Sequence, residues 1–342
     1  MYINLANIDF NPGQGGGGSA VIEGLTITSN GIYTAGEGID GYSPIEVNIP
    51  IDGWDQKSVT EGVVEIINID NPASFVASSI FMGDKKIQTV NLPYATSVGV
   101  GAFRQCISLS QVNLPMCDYI GFDAFLSCWS LSQLSLPVCT YIGNSAFFAC
   151  RSLTQVDLPM CSYIGKSAFG GCSKLTQVNL PMCNHIDGAA FANCRSMTQI
   201  SLPVCEYIGE GAFFAYRPLT QVDLPMCSYI GFKAFVGCRL ISQISLPVCS
   251  YIGESAFNGC SSLSQVSLPV CSYIGESAFN ACSSLSIITI GYSDVCVVNP
   301  TTFNSTPITD GTGSIYVPAS LVDAYKSAEN WSVFSSQIFP IE

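Results

Sequence analysis

Charge is scarce in this chain. Of its 342 residues only 11% are Asp, Glu, Lys or Arg, less than half the usual quarter. Histidine is nearly absent, with His185 the single example. A multi-His metal site is thereby nearly ruled out, and a His-based catalytic triad is left with His185 as its one candidate. The 17 Cys include no Cys-x-x-Cys pair, so zinc-site spacing is missing. No apolar run reaches the roughly eighteen residues of a membrane-spanning helix, although 48% of the chain is hydrophobic. That hydropathy is spread evenly, which excludes long disorder and implies a packed core without membrane insertion. The start, MYINLANIDFNPGQGGGGSA, has neither a basic stretch nor the apolar core of a secretory signal. The expectation is synthesis in a reducing cytoplasm, with any exposure outside reached by another route.

The net charge of −13 is unevenly distributed. Residues 1–90 hold eleven acids and three Lys, and residues 291–342 hold five acids and one Lys. The 200 residues between hold nine acids and eight Lys or Arg. This balance implies no basic face, and so no nucleic-acid partner.

What the chain does have is a repeat. Leu-Pro recurs from Leu92 to Leu268 at every 22nd residue, without insertion or deletion. Ile290 takes the next step, with Gly291 in place of Pro. The consensus reads L-P-x-C-x-Y-I-G-x-x-A-F-x-x-C-x-x-L-x-Q-V-x. A rigid period of this length means a solenoid, in which each coil buries its apolar face against its neighbours. The stretch 153–158 reads as a short strand stopped by Pro159. Gly165 suits a tight turn. Ala168, Phe169 and Cys172 fall on one face of a single helical turn. The Phe column, Phe103 to Phe279, points inward.

Stacked coils need closed ends. Phe81, Ile87 and Val90 fall on repeat positions and mark 73–91 as a degenerate first coil. After Ile290 the register breaks. Ser314–Val317 reads as a last strand, and Leu321, Tyr325 and Trp331 as the inner face of a capping helix over 320–331.

Sixteen Cys fall in two columns, one with Cys106 and its equivalents and one with Cys117 and its equivalents. Within a column the Cβ vectors run parallel, too far apart for a disulfide. Free, buried thiols are expected, with no disulfide and no metal. His185 occupies a column otherwise held by Tyr and reads as a structural substitute. Asp157 and Asp223 lie three coils apart, roughly 14 Å at the parallel-strand spacing, and cannot act as a glycosidase pair. No catalytic set and no cofactor site emerge.

The candidate binding residues are polar. Gln133, Gln155, Gln177, Gln199, Gln221 and Gln243 flank an inward residue and so must point outward, on one face with Asp157, Asn179 and Asp223. Two compatible readings stand: an amide ladder that solvates the sheet, and an uncharged recognition face for a glycan or a protein surface. From Leu114 to Leu268, Asn or Asp before Leu-Pro is always followed by Met, and Ser there by Val, which marks duplication of whole coils.

The motif IGxxAFxxCxSLxxVxLP resembles the BspA-type leucine-rich repeat, found in many surface proteins of gut and oral bacteria. The tail IYVPASLVDAYKSAENW is similar to an end piece common in that family. The second Cys and the strict 22-residue period depart from the family pattern. LTITSNGIYTAGEGIDGYSPIEVNIP is similar to a small β module of phage tail-type proteins, and residues 1–11 followed by GQGGGGS resemble an anchoring peptide on a flexible tether. The resulting organisation is an anchor and tether over 1–19, a β-rich module over 20–72, the solenoid over 73–291 with short helical turns, and a helical cap over 292–342. The resemblance implies non-enzymatic recognition or adhesion. The expected setting is a gut-bacteriophage virion appendage, docked through residues 1–11 in several copies. The alternatives are a bacterial surface adhesin and a purely structural spacer.

Overall fold

The computed structural model describes residues 19–22, 25–28, 31–34, 63–65 and 75–342, apart from 77, 80, 86, 93–94 and 215–217. The proposed anchor over 1–11 and most of the 20–72 module lie outside these residues. The chain divides into two units, Met1–Cys161 and Ser162–Glu342.

The first unit opens with three antiparallel strands, Ser19–Ile22, Leu25–Thr28 and Gly31–Thr34. Parallel coils follow. The long strands Val63–Glu65, Thr89–Asn91 and Gln111–Asn113 pair in order, and Gln133–Ser135 pairs with Gln155–Asp157. The short strands Phe75–Val76, Ser97–Val98, Tyr119–Ile120 and Tyr141–Ile142 form a second parallel ladder.

The second unit repeats the plan. Gln199–Ser201 pairs with Gln221–Asp223. Gln243–Ser245, Gln265–Leu268, Ile287–Ile290, Ser314–Val317 and Ile338–Pro340 pair in that order, all parallel. The short strands run from Tyr163–Ile164 to Val297–Val298. The molecule is thus a β-solenoid of about eleven parallel turns with little helix. Parallel pairing begins before residue 73 and continues past 291. Ser314–Val317 is not the last strand, because Ile338–Pro340 adds to its free edge.

The third side of each coil differs from the expected helical turn. Ser167, Phe169 and Gly171 donate backbone N–H groups to the next coil, to Gly188, Ala190 and Ala192, at 2.7–2.8 Å. Ala168, Gly170 and Cys172 donate back within their own coil, to Gly165, Ser167 and Phe169. The alternation arises because Ser167 and Gly171 are left-handed, with φ of 56° and 75°. A helix would direct all six donors along its own axis. This run instead forms a further hydrogen-bonded ladder between coils.

The Gly after Tyr-Ile is explained by proximity rather than by turn geometry. A Cβ on Gly253 would lie 2.7 Å from the carbonyl carbon of Gly231 and 2.8 Å from the nitrogen of Phe232. Coils touch backbone to backbone here, so a side chain has no room.

Inside, like residues stack on like. In the first unit the rings of Phe81, Phe103, Phe125 and Phe147 lie 5.1 Å apart and nearly parallel. In the second, Phe169 to Phe279 lie 5.1–5.6 Å apart, and Phe303 continues the column at 6.0 Å. The C-terminal cap closes this column through Tyr325 and Trp331, both fully buried. Trp331 Nε1 donates to the Cys296 carbonyl at 2.6 Å, and the Cys296 N–H donates to the Tyr325 hydroxyl at 2.9 Å. The helical pieces are short: a 3-10 turn Ala319–Leu321, the α-helix Val322–Ser327 and a 3-10 segment Ser332–Gln337. Leu321 is only half-buried.

All seventeen Cys are buried thiols outside any disulfide. In the first column the thiol donates to the Phe carbonyl of the preceding coil, as Cys128 Sγ to Phe103 O at 3.1 Å. In the second it turns to a carbonyl two residues on, as Cys139 Sγ to Tyr141 O at 3.4 Å. A thiol fills a small apolar space and still offers a weak donor to a buried carbonyl. Burial pushes the Cys117 and Cys205 thiols up to about 12, which removes reactive thiolate at neutral pH.

Two predictions follow from this packing. Gly253→Ala is expected to cost about 3 kcal/mol or more by overpacking. Gly259→Ala, at φ +76° with open space around it, is expected to cost about 1 kcal/mol, because Ala281 already holds that position at φ 57° in the next coil. Chemical denaturation of both variants checks the contrast, and equal losses would contradict it. For the thiols, titration of the native chain with an aromatic disulfide reagent should label essentially none, and titration in denaturant should label all seventeen. Rapid native labelling, or disulfides found by mass spectrometry, would refute the packing.

Candidate functional site

The long strands carry the expected outer face. Their burial alternates exposed–buried–exposed, as in Gln133–Ser135 and Gln221–Asp223, because successive residues on a strand point to opposite sides. In the first unit Gln133 and Gln155 are exposed and in register, and Asp157 is half-buried. In the second, Gln177, Gln199, Gln221 and Gln243 are exposed, as are Asn179 and Asp223. Parallel register places Gln199 beside Gln221 and Gln243 beside Gln265, at about 4.8 Å between strands. Asp223 accepts a hydrogen bond from Ser201 Oγ at 3.1 Å.

A row of hydroxyls braces this face. Thr154 Oγ1 donates to the Ser132 carbonyl at 3.0 Å, and Thr220 Oγ1 to Thr198 at 3.1 Å. Ser264 Oγ does the same toward Ser242. Each bond ties one coil to the coil before it, one residue ahead of the Gln. The Gln side chains therefore rise from a frame tied between coils by hydroxyl as well as backbone hydrogen bonds.

Two neighbouring rows were visible in the sequence but were not read as surface rows. The residue after Leu-Pro is exposed from Met116 to Val270: Met182, Met226 and Val248 expose 52, 49 and 38% of their surface. Their position just outside a strand-ending Pro was the available signal. The second row is the Tyr column. Tyr207, Tyr229, Tyr251 and Tyr273 stack with centroids 4.7–5.0 Å apart and planes within 10°. Their faces are turned to one another, so their edges meet solvent.

His185 sits within this column, 4.9 Å from Tyr163 and 4.3 Å from Tyr207. The Tyr163 hydroxyl donates to Asp187 at 3.1 Å, and Asp187 also accepts the Gly188 N–H at 2.6 Å. Burial between the two rings pushes the imidazole below its ordinary value, and Asp187 opposes that shift. His185 thus fills a ring position in the stack. Among the described residues no group of three or more His, Cys, Asp or Glu is placed to hold a metal ion. No helix among them is long and apolar enough to cross a membrane.

The single His makes a direct test available. NMR titration should give one imidazole signal with a midpoint below the ordinary 6.5, and Asp187→Asn should lower it further. The sign for stability follows. The folded state favours neutral imidazole, so stability is complete above the unfolded value and declines as pH falls through the folded one. A midpoint above 6.5 would refute the burial.

The comparisons agree with this architecture. The family model for the BspA-type leucine-rich repeat region matches residues 74–198 and 184–309, in six copies. No curated protein matches the chain. Among solved structures, the chain is similar to a leucine-rich cell surface protein of Faecalibacterium prausnitzii, at 22% identity over 65% of this chain and 77% of that one, with a TM-score of 0.34. It is similar to a leucine-rich repeat protein of Bacteroides ovatus, at 18% identity over 95% and 80%, TM-score 0.47. It is also similar to a leucine-rich repeat protein of T. pallidum, at 27% identity over 57% and 86%, TM-score 0.40. With its 22-residue coils matched over most of its length, the chain belongs to the BspA-type leucine-rich repeat family.

Proposed function

We propose that this protein is a non-enzymatic recognition module exposed at a bacterial surface, and that the outer face of its long strands makes the contact. One observation carries the reading. Gln recurs on one exposed face in coil after coil, at fixed spacing, on a frame tied by backbone and hydroxyl hydrogen bonds. A preorganised frame binds without first losing backbone freedom. Each amide offers both a donor and an acceptor, which suits sugar hydroxyls and peptide groups alike. Solenoids of this kind use extended surfaces to bind, and family membership supports a protein or glycan partner. It also supports the adhesin reading over a virion appendage. The appendage rests on residues 1–19, nearly all outside the described residues, and no comparison supports it.

The test uses the full chain, fluorescently labelled, on bacterial cells, epithelial cells and mucin. Replacing Gln177, Gln199, Gln221 and Gln243 together by Ala should leave the melting temperature unchanged and weaken binding at least about tenfold, or about 1.4 kcal/mol. Unchanged binding would remove the role of this face. Absence of binding by the unaltered chain to every surface would leave the spacer reading instead.

A further inference from the structure

The outer face carries a repeat longer than the coil. From the outward Gln to the residue after Leu-Pro, three successive coils read QVNLPM at 111–116, QLSLPV at 133–138 and QVDLPM at 155–160. The next three, at 177–182, 199–204 and 221–226, read the same except that Ile200 replaces the Leu. One block lies in each unit. In each block a coil with Ser and Val stands between two coils with Asn or Asp and Met. Met116, Val138 and Met160 are exposed, as are Met182, Val204 and Met226. They sit in the corner turn that ends each long strand, closed by the Cys N–H to the Leu carbonyl, as Cys205 to Leu202 at 3.2 Å. The coils of a block are in register. Tyr119 pairs with Tyr141 in the first, and His185 with Tyr207 and Tyr207 with Tyr229 in the second. The two Met of a block therefore stand two coils apart, about 9.6 Å at the parallel-strand spacing. The shorter Ser and Val between them leave a hollow.

The frame does not ask for this relief, since the coils at 243–248 and 265–270 carry Ser and Val in succession. We propose that each block is a binding site for a neutral oligosaccharide, so that the chain takes two. A sugar ring has an apolar face of C–H groups and a rim of hydroxyls. The C–H face meets Met and Val in the hollow. The hydroxyls meet Gln, Asn and Ser groups, which both donate and accept, and the Asp carboxylate, which accepts. Ser201 Oγ already holds the Asp223 carboxylate beside the second hollow, at 3.1 Å. Charge and size select this occupant. The one charged residue of each block is an acid, Asp157 or Asp223, which repels an anionic glycan. Met182, Val204 and Met226 together expose on the order of 250 Å², against the roughly 800 Å² that each partner of a stable protein complex buries. A second copy of the chain therefore gains too little here. Strand addition by a peptide has no free edge to use, because the strands of a block lie inside a stack of coils. The inference rests on the recognition reading and names its ligand class and its number of sites.

Methyl-labelled Met supplies the readout. Four of the seven Met lie in the blocks, Met82 lies outside them and Met197 is fully buried. The full chain is titrated with cellotriose and, separately, with chitotriose. The methyl signals of Met116, Met160, Met182 and Met226 should shift together, while those of Met82 and Met197 stay in place. Shifts with both sugars assign the site to the shared ring and hydroxyl chemistry, and shifts with one alone assign it to that sugar's substituents. The double variant Ser201→Asn, Val204→Met fills the second hollow with residues that neighbouring coils already carry, so its melting temperature should not change. It should abolish the shifts at Met182 and Met226, keep those at Met116 and Met160, and halve the number of sugars bound. Ser135→Asn with Val138→Met should do the reverse. No shift with either sugar, shifts in one block only of the unaltered chain, unchanged binding by both filled variants, or equal shifts with a neutral Gly-Ser peptide of similar length would overturn the proposal. If the quadruple Gln variant loses binding to cells while the Met signals ignore both sugars, this proposal fails and the recognition reading stands.

Discussion

The backbone hydrogen bonds that join each coil to the next govern the rest of this structure. They run along all three sides of a coil: the long strands, the short strands and the turn run from Ser167 to Gly171. Once they form, each inward side chain meets its own counterpart from the next coil. The core can then use only residues that pack well against themselves. Phe rings stack nearly parallel, Ala leaves room beside them, and Gly lets backbones touch. One inserted residue would turn a strand's inner face outward, which explains why nine coils keep one length.

The thiols answer a difficulty created by that same arrangement. The Phe carbonyl of a coil sits inside the solenoid, where a polar group without a partner is costly. A Cys from the following coil supplies a donor without a larger polar group, and burial keeps its proton in place. The aromatic column on the short strands is less demanding. It accepts His185 among the tyrosines because an imidazole ring can occupy the same stack and Asp187 supplies a local partner for Tyr163.

Strict repetition inside leaves the outer positions free to vary. The residue two places after Gln is Asn, Asp or Ser, the residue after Leu-Pro is Met or Val from the second coil on, and the positions after the first Cys are Ser, Lys or Arg among others. None of these choices touches the core. Duplication of coils supplies length, and substitution at outer positions supplies a surface pattern with the same spacing as the frame. A recognition surface built this way grows by whole coils without disturbing the packing beneath it.

The sequence by itself determined the period, the inward Phe, Ala and Cys columns, the outward Gln row and the presence of a cap built on Tyr325 and Trp331. These follow from periodicity, because a strict repeat in a hydrogen-bonded solenoid leaves one register. Tertiary structure decided the rest. Ala168, Phe169 and Cys172 have the spacing of a helical face, yet left-handed Ser167 and Gly171 send alternate N–H groups to the neighbouring coil. Backbone handedness at a Ser is set by what its N–H can reach, and local sequence does not contain that. Gly253 looks like a turn glycine and is required by the backbone of the coil before it, a contact visible only once coils are stacked.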